Sequence, residues 1–169
     1  MNYHHLIPAP GFIVLPRSQD YELRRCVNDG EMPSAAPPDY DFKQSYSNCP
    51  AYPFSFGAGL MSLELQTILV AGAGPNDQLQ WVPCTVYDGA VPVPYVIPIL
   101  QPSAELDPVQ STFGPGGPIR WVIRSSSLSG RNVVKVPGVT LGLVVSGEIR
   151  SEIDRRGLSG LDWLPARVA

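Results

Sequence analysis

Two stretches of the chain carry the same pattern of polar and apolar positions. Ser62-Leu63-Glu64-Leu65-Gln66-Thr67-Ile68-Leu69 lines up with Ser146-Gly147-Glu148-Ile149-Arg150-Ser151-Glu152-Ile153. In each, glutamate follows serine by two residues, and aliphatic side chains recur at a spacing of four: Leu65 with Leu69, Ile149 with Ile153. That spacing places both on one stripe of a helix. The serine hydroxyl can accept a hydrogen bond from an otherwise unpaired amide of the first turn, and the glutamate lies where negative charge suits the helix dipole. Both stretches therefore predict a short helix opened by a serine cap. Gly72 and Gly74, or Gly157 and Gly160, then release the chain. It continues into Leu79-Gln80-Trp81-Val82-Pro83 or Leu161-Asp162-Trp163-Leu164-Pro165, two matched aromatic strands.

Between and before these units the pattern is strand-like. Residues 81–87, 95–100, 119–124, 133–136 and 139–145 are rich in β-branched and aromatic side chains. Residues 3–15 predict a strand broken at Pro8, Pro10 and Gly11, and residues 21–27 a short helix. The apolar run 91–100 contains Pro92, Pro94 and Pro98 and reads as an edge or irregular strand. Asp88-Gly89 before it signals a turn, but the prolines argue against a tight regular hairpin. Residues 28–53, with Pro33, Pro37, Pro38, Pro50 and Pro53, predict an extended loop, which Tyr40, Phe42, Tyr46, Tyr52, Phe54 and Phe56 could pin to the core. The expected fold is one α+β domain over residues 1–169, with a mixed or mostly antiparallel sheet, a few short helices and long Pro/Gly-rich loops.

Charge is distributed unevenly. Residues 44–119 contain no Lys or Arg but carry Glu64, Asp77, Asp88, Glu105 and Asp107, whereas Arg120 begins a stretch in which cations predominate. Nucleic-acid binding is disfavoured, because the isoelectric point of about 5.3 leaves no sustained basic groove. An acidic surface suits a basic protein partner through electrostatic steering. No apolar run approaches the roughly 18 residues needed for a membrane span. The first residues lack the basic and small-residue features of an export signal, so cytoplasmic residence is expected.

Catalytic chemistry finds few residues to work with. The histidines are His4 and His5, adjacent and pointing to opposite faces if extended, and no nucleophile elbow accompanies them. Cys26, Cys49 and Cys84 are widely spaced, without metal-ligand spacing, and read as reduced packing residues. Neither Gly72-Ala73-Gly74-Pro75 nor Gly114-Pro115-Gly116-Gly117-Pro118 has the context of a phosphate loop. Glu105 and Asp107 could share a face as paired carboxylates, but Asp107 before Pro108 and Ser111 reads more simply as a turn residue. We expect no enzyme, no cofactor and no bound metal.

Several of these segments together resemble a family of immunity proteins from bacterial polymorphic toxin systems, the eleventh numbered among such families and formerly a domain of unknown function. The resemblance covers residues 57–169 and rests on Leu60-Met61-Ser62-Leu63-Glu64-Leu65, Leu79-Gln80-Trp81-Val82-Pro83, Leu106-Asp107-Pro108-Val109-Gln110-Ser111, Leu143-Val144-Val145-Ser146 and the closing 157–165 element. It implies a protein made beside an antibacterial toxin, often one delivered by contact-dependent or type VI secretion, which it neutralises by occlusion. The implied partner is that cognate toxin, with no nucleic acid or membrane involved, and the free protein would be a monomer or small oligomer. Candidate toxin contacts are the acids Asp77, Asp88, Glu105 and Asp107, with Tyr40, Tyr46 and Tyr52 as aromatic anchors. The competing expectation is a structural or assembly protein of a phage or secretion apparatus, for which a Pro-rich, loop-heavy chain is equally natural.

Overall fold

The computed structural model describes residues 2–8, 14–18, 21–42, 59–139 and 142–169. In chain order the elements are β1 (Tyr3–Pro8), β2 (Val14–Pro16), α1 (Tyr21–Asp29), β3 (Tyr40–Phe42), β4 (Met61–Ser62), α2 (Leu63–Gly72), β5 (Leu79–Asp88), β6 (Val91–Leu100), β7 (Thr112–Gly114), β8 (Gly117–Arg120), β9 (Val133–Lys135), β10 (Leu143–Ser146), α3 (Gly147–Arg155) and β11 (Leu161–Pro165). They build one sheet in the order β11-β1-β10-β9, a second in the order β2-β3-β5-β6-β4, and a β7-β8 ribbon. The fold is α+β, with open, mostly antiparallel sheets.

The sequence echo is a structural duplication. Ser62 caps α2 at φ −66°, ψ 156°, its hydroxyl accepting from Leu65 N at 3.2 Å, and Ser146 caps α3 at φ −66°, ψ 159°, accepting from Ile149 N at 3.4 Å. Each capping strand and the strand after its helix lie parallel, separated by one antiparallel strand: β6 between β4 and β5, β1 between β10 and β11. The registers also agree. Ser62 faces Tyr95 and Ser146 faces Tyr3; Trp81 faces Pro98 and Trp163 faces Leu6; Pro83 faces Val96 and Pro165 faces His4. Even the neighbouring strand is matched, since Tyr40 pairs in parallel with Val86 as Ile123 does with Val168. The middle strand follows its unit in the first copy and precedes it in the chain in the second.

β5 and β6 correct two expectations. They form a regular ten-residue hairpin closed by Gly89-Ala90, with Gly89 at φ 60° as the primed hairpin turns require. β6 is also an inner strand, lying between β5 and β4. The prolines are tolerated because of rung parity. A two-residue turn makes its flanking pair, Asp88 with Val91, a hydrogen-bonded rung, and such rungs alternate with rungs that exchange no hydrogen bond. Pro83, Pro92, Pro94 and Pro98 all fall on the second kind, opposite Val96, Tyr87, Thr85 and Trp81. Each missing N–H would have pointed away from the hairpin partner, and among the described residues no outer strand pairs at any of the four positions.

α2 and α3 pack together over a shared core that includes Leu65, Leu69, Ile149, Ile153, Met61 and Val145, with Trp81 and Trp163 against it. Their glycine exits differ in cause. Gly157 sits at φ 69°, with its own N–H bonded to Asp154 O and that of Leu158 to Ile153 O, a left-handed C-cap. Gly72 instead provides room, since a Cβ there would lie 2.6 Å from Ile149 Cγ1.

The region expected as extended loop contains β3. Tyr40 is buried within a second core beside Leu23, Val82, Val86, Ile97 and Ile99, and Phe42 packs against it. Lys135 joins this layer to the other sheet. Its ammonium donates to Val27 O near the C-terminal end of α1, where a cation complements the helix dipole. Burial lowers its pKa, and the charge of Asp29 opposes that effect.

Candidate functional site

The acidic candidates do not form one patch. Asp77 is a staple: its Oδ2 accepts from Gly74 N at 2.7 Å and from Asn132 N and Val133 N at 2.9 Å each, tying the α2–β5 loop to the start of β9. Asp107 closes a turn, its Oδ1 accepting from Val109 N at 2.9 Å and Gln110 N at 2.8 Å, which agrees with the turn reading. Both carboxylates are thus engaged with backbone amides. Glu105 is exposed, with its carboxylate 4.0 Å from Arg124. Asp88 lies at the hairpin tip, nine residues along the strand from Leu79, or about 30 Å at the usual strand rise.

Tyr40 cannot be a surface anchor as it stands, because only 1% of it is exposed. Its aromatic ring belongs to the core beneath β3, where an alternating strand turns it inward. Tyr46 and Tyr52 lie outside the described residues.

The histidines do point to opposite faces. His4 Nδ1 is 3.0 Å from Nη1 of Arg150, and its ring packs edge-on against Trp163. His5 packs edge-on against Trp121 on the other side of the sheet, the ring centroids 5.2 Å apart. Cys26 and Cys84 are free thiols, and burial pushes that of Cys84 up to about 12, far from a reactive thiolate. Cys49 lies outside the described residues. Among the described residues no three His, Cys, Asp or Glu side chains converge as metal ligands would, and no helix is long and apolar enough to cross a membrane.

Two open depressions bear on binding. One, of about 390 Å³, is polar and runs along residues 101–105, with Gln78, Glu105 and Arg131 at its walls. The other, of about 520 Å³, lies on the outer face of β1 and β11. It is floored by His5, Ile7 and Leu164, walled by Ile119 and Trp121, and flanked by Arg120 and Arg167. Sequence reasoning did not find this groove. Its only trace in the sequence is Ile119-Arg120-Trp121, where the cation-poor stretch ends and three unlike side chains follow one another.

The chain matches no protein-family model and no curated protein.

Proposed function

We propose that this protein is an immunity-type inhibitor, which binds a cognate antibacterial toxin in the cytoplasm and neutralises it by occlusion, without turnover. The observation that carries this reading is where the family-like segments fall. Residues 60–65 form β4 and the start of α2, 79–83 open β5, 106–111 contain the Asp107 turn, 143–146 form β10, and 157–165 close on β11. The segments are scattered in sequence, yet most of them build the shared core of the duplicated units. Their resemblance is thus one of scaffold, with specificity left to the surface, as expected of a family whose members meet different toxins.

Of the acidic positions, Glu105 and Asp88 remain available for steering a basic partner, whereas Asp77 and Asp107 serve the scaffold. Co-expression with the toxin encoded beside it tests the proposal: growth should be restored and the two chains should co-purify in a defined ratio. Replacing Asp88 and Glu105 by lysine should slow association at low salt and leave dissociation nearly unchanged. Absence of rescue, together with self-assembly of the purified chain into large species, would instead support the structural-protein reading.

A further inference from the structure

The two copies of the β-α-β unit treat the same sheet face differently. Register makes Ile97, Ile99 and Val82 of the first copy equivalent to His5, Ile7 and Leu164 of the second. In the first copy these residues are at most 6% exposed, under the layer that α1 completes with Leu23 and Val27. In the second copy the covering layer, built from Ala104, Leu106 and Leu128 over Tyr3, Val144 and Ile123 of the sheet, stops short. Leu164 is left 56% exposed and Ile119 beside it 77% exposed.

We propose that this uncovered face is a docking site for an acidic amphipathic helix of a partner protein, seated as α1 is seated on the first copy. Two features select that occupant. The first is the internal precedent, since the same three-strand platform already accepts an amphipathic helix that buries Leu23 and Cys26. The second is charge. Arg120 and Arg167 flank the apolar floor, and neither has an ion-pair partner among the described residues. Every other arginine from Arg124 to Arg156 except Arg131 is paired with a carboxylate. Arg131 instead donates to the carbonyl oxygen of Asn76. Two unpaired guanidiniums beside exposed aliphatics favour carboxylates flanking an aliphatic stripe. Asp162, exposed on β11 opposite Ile7, sets the polarity: the acidic end of the helix lies toward the arginines and away from this carboxylate. The inference does not require the partner to be a toxin.

Titration of the intact protein with designed peptides tests the inference. One peptide carries leucine at positions i, i+3, i+4 and i+7 with glutamates alongside, a second has lysine for glutamate, and a third carries two central prolines. The glutamate peptide should bind and shift the Trp121 indole and Ile7 methyl signals in NMR spectra, and the other two should bind at least about tenfold more weakly. Arg120→Glu combined with Arg167→Glu should abolish binding of the glutamate peptide and leave thermal unfolding unchanged, because both side chains are exposed. Equal binding of glutamate and lysine peptides would overturn the charge argument. Equal binding of the proline peptide would overturn the helical occupant, and shifts confined to other surfaces would overturn the site. Toxin rescue is read independently, so failure here leaves the immunity proposal standing and the converse also holds.

Discussion

The first β-α-β unit has its middle strand buried on both faces from Tyr95 to Leu100, and the second has one face partly open, although cap, helix stripe and register are the same in both. What differs is what each unit is given to pack against. β5 and β6 lie between α1 on one side and the α2–α3 core on the other. β1 and β11 share that core but meet only a partial covering layer on their outer face. A repeated local code thus sets the unit, and non-repeated segments decide which of its surfaces remain exposed.

The largest test of equivalence is truncation of the shared stripe. Leu69 and Ile153 hold the same place on α2 and α3 and are at most 1% exposed. Leu69→Ala and Ile153→Ala should each cost about 3 kcal/mol, the usual loss for a buried aliphatic whose cavity does not collapse. Urea unfolding of both variants measures the match. A loss confined to one of them would mean that the two units do not contribute alike to the shared core.

Asp77 breaks the symmetry, since the register places Ser159 at the corresponding position of the second unit. Asp77→Ala should cost about 2 kcal/mol, because three partly buried amides lose a charged acceptor. Asp77→Asn should retain part of that, its carboxamide oxygen still accepting. Hydrogen exchange at Asn132 and Val133 should speed up in the alanine variant. Unchanged protection there would remove the staple from the account of how the α2–β5 loop is held.

The duplicated unit was legible in the sequence because its signals are local: a serine, an acid two residues on, an i, i+4 pair, and a tryptophan two residues after a leucine. The hairpin was misjudged because proline tolerance depends on rung parity, which is known only once the turn fixes the register. β3 was missed because Tyr40 to Phe42 forms a strand only through its tertiary neighbours, β2 and β5. Acidic residues were visible as residues, but their commitments were not. Asp77 meets amides more than fifty positions away, whereas Asp107 meets its own turn, and so its role could be read. The groove was illegible for a related reason, since it unites β1, the end of β8 with Trp121 after it, and β11, which lie far apart along the chain.

Cap removal gives a smaller and more symmetric effect. Ser62→Ala and Ser146→Ala should each lower stability by about 1 kcal/mol, the common cost of losing a side-chain acceptor at a helix start. The two changes combined should be nearly additive, since each cap serves its own helix. A combined loss well above the sum would show that the α2–α3 contact depends on both first turns.

The smallest effect concerns His4, which occupies the register position of Val96 in the other unit. A guanidinium can only donate, so Nδ1 of His4 accepts from Arg150 and the ring is neutral with its proton on Nε2. Burial first and the Arg150 charge second hold the His4 pKa below the ordinary value of 6.5, against a weaker opposing effect of Asp154. Between the lowered folded pKa and 6.5, the unfolded chain binds more protons than the folded one. Stability therefore falls as pH drops through and below 6.5 and is fully restored above it. His4→Val should flatten the pH dependence of the unfolding midpoint between about pH 7.5 and 5.5. Glu152, held down to about 2 by Arg155 and Arg156, loses its contribution only below the ordinary carboxylate range and so does not confound that window. A wild-type slope in the valine variant would place the titrating group elsewhere, and the histidine would then differ from its valine counterpart only in shape.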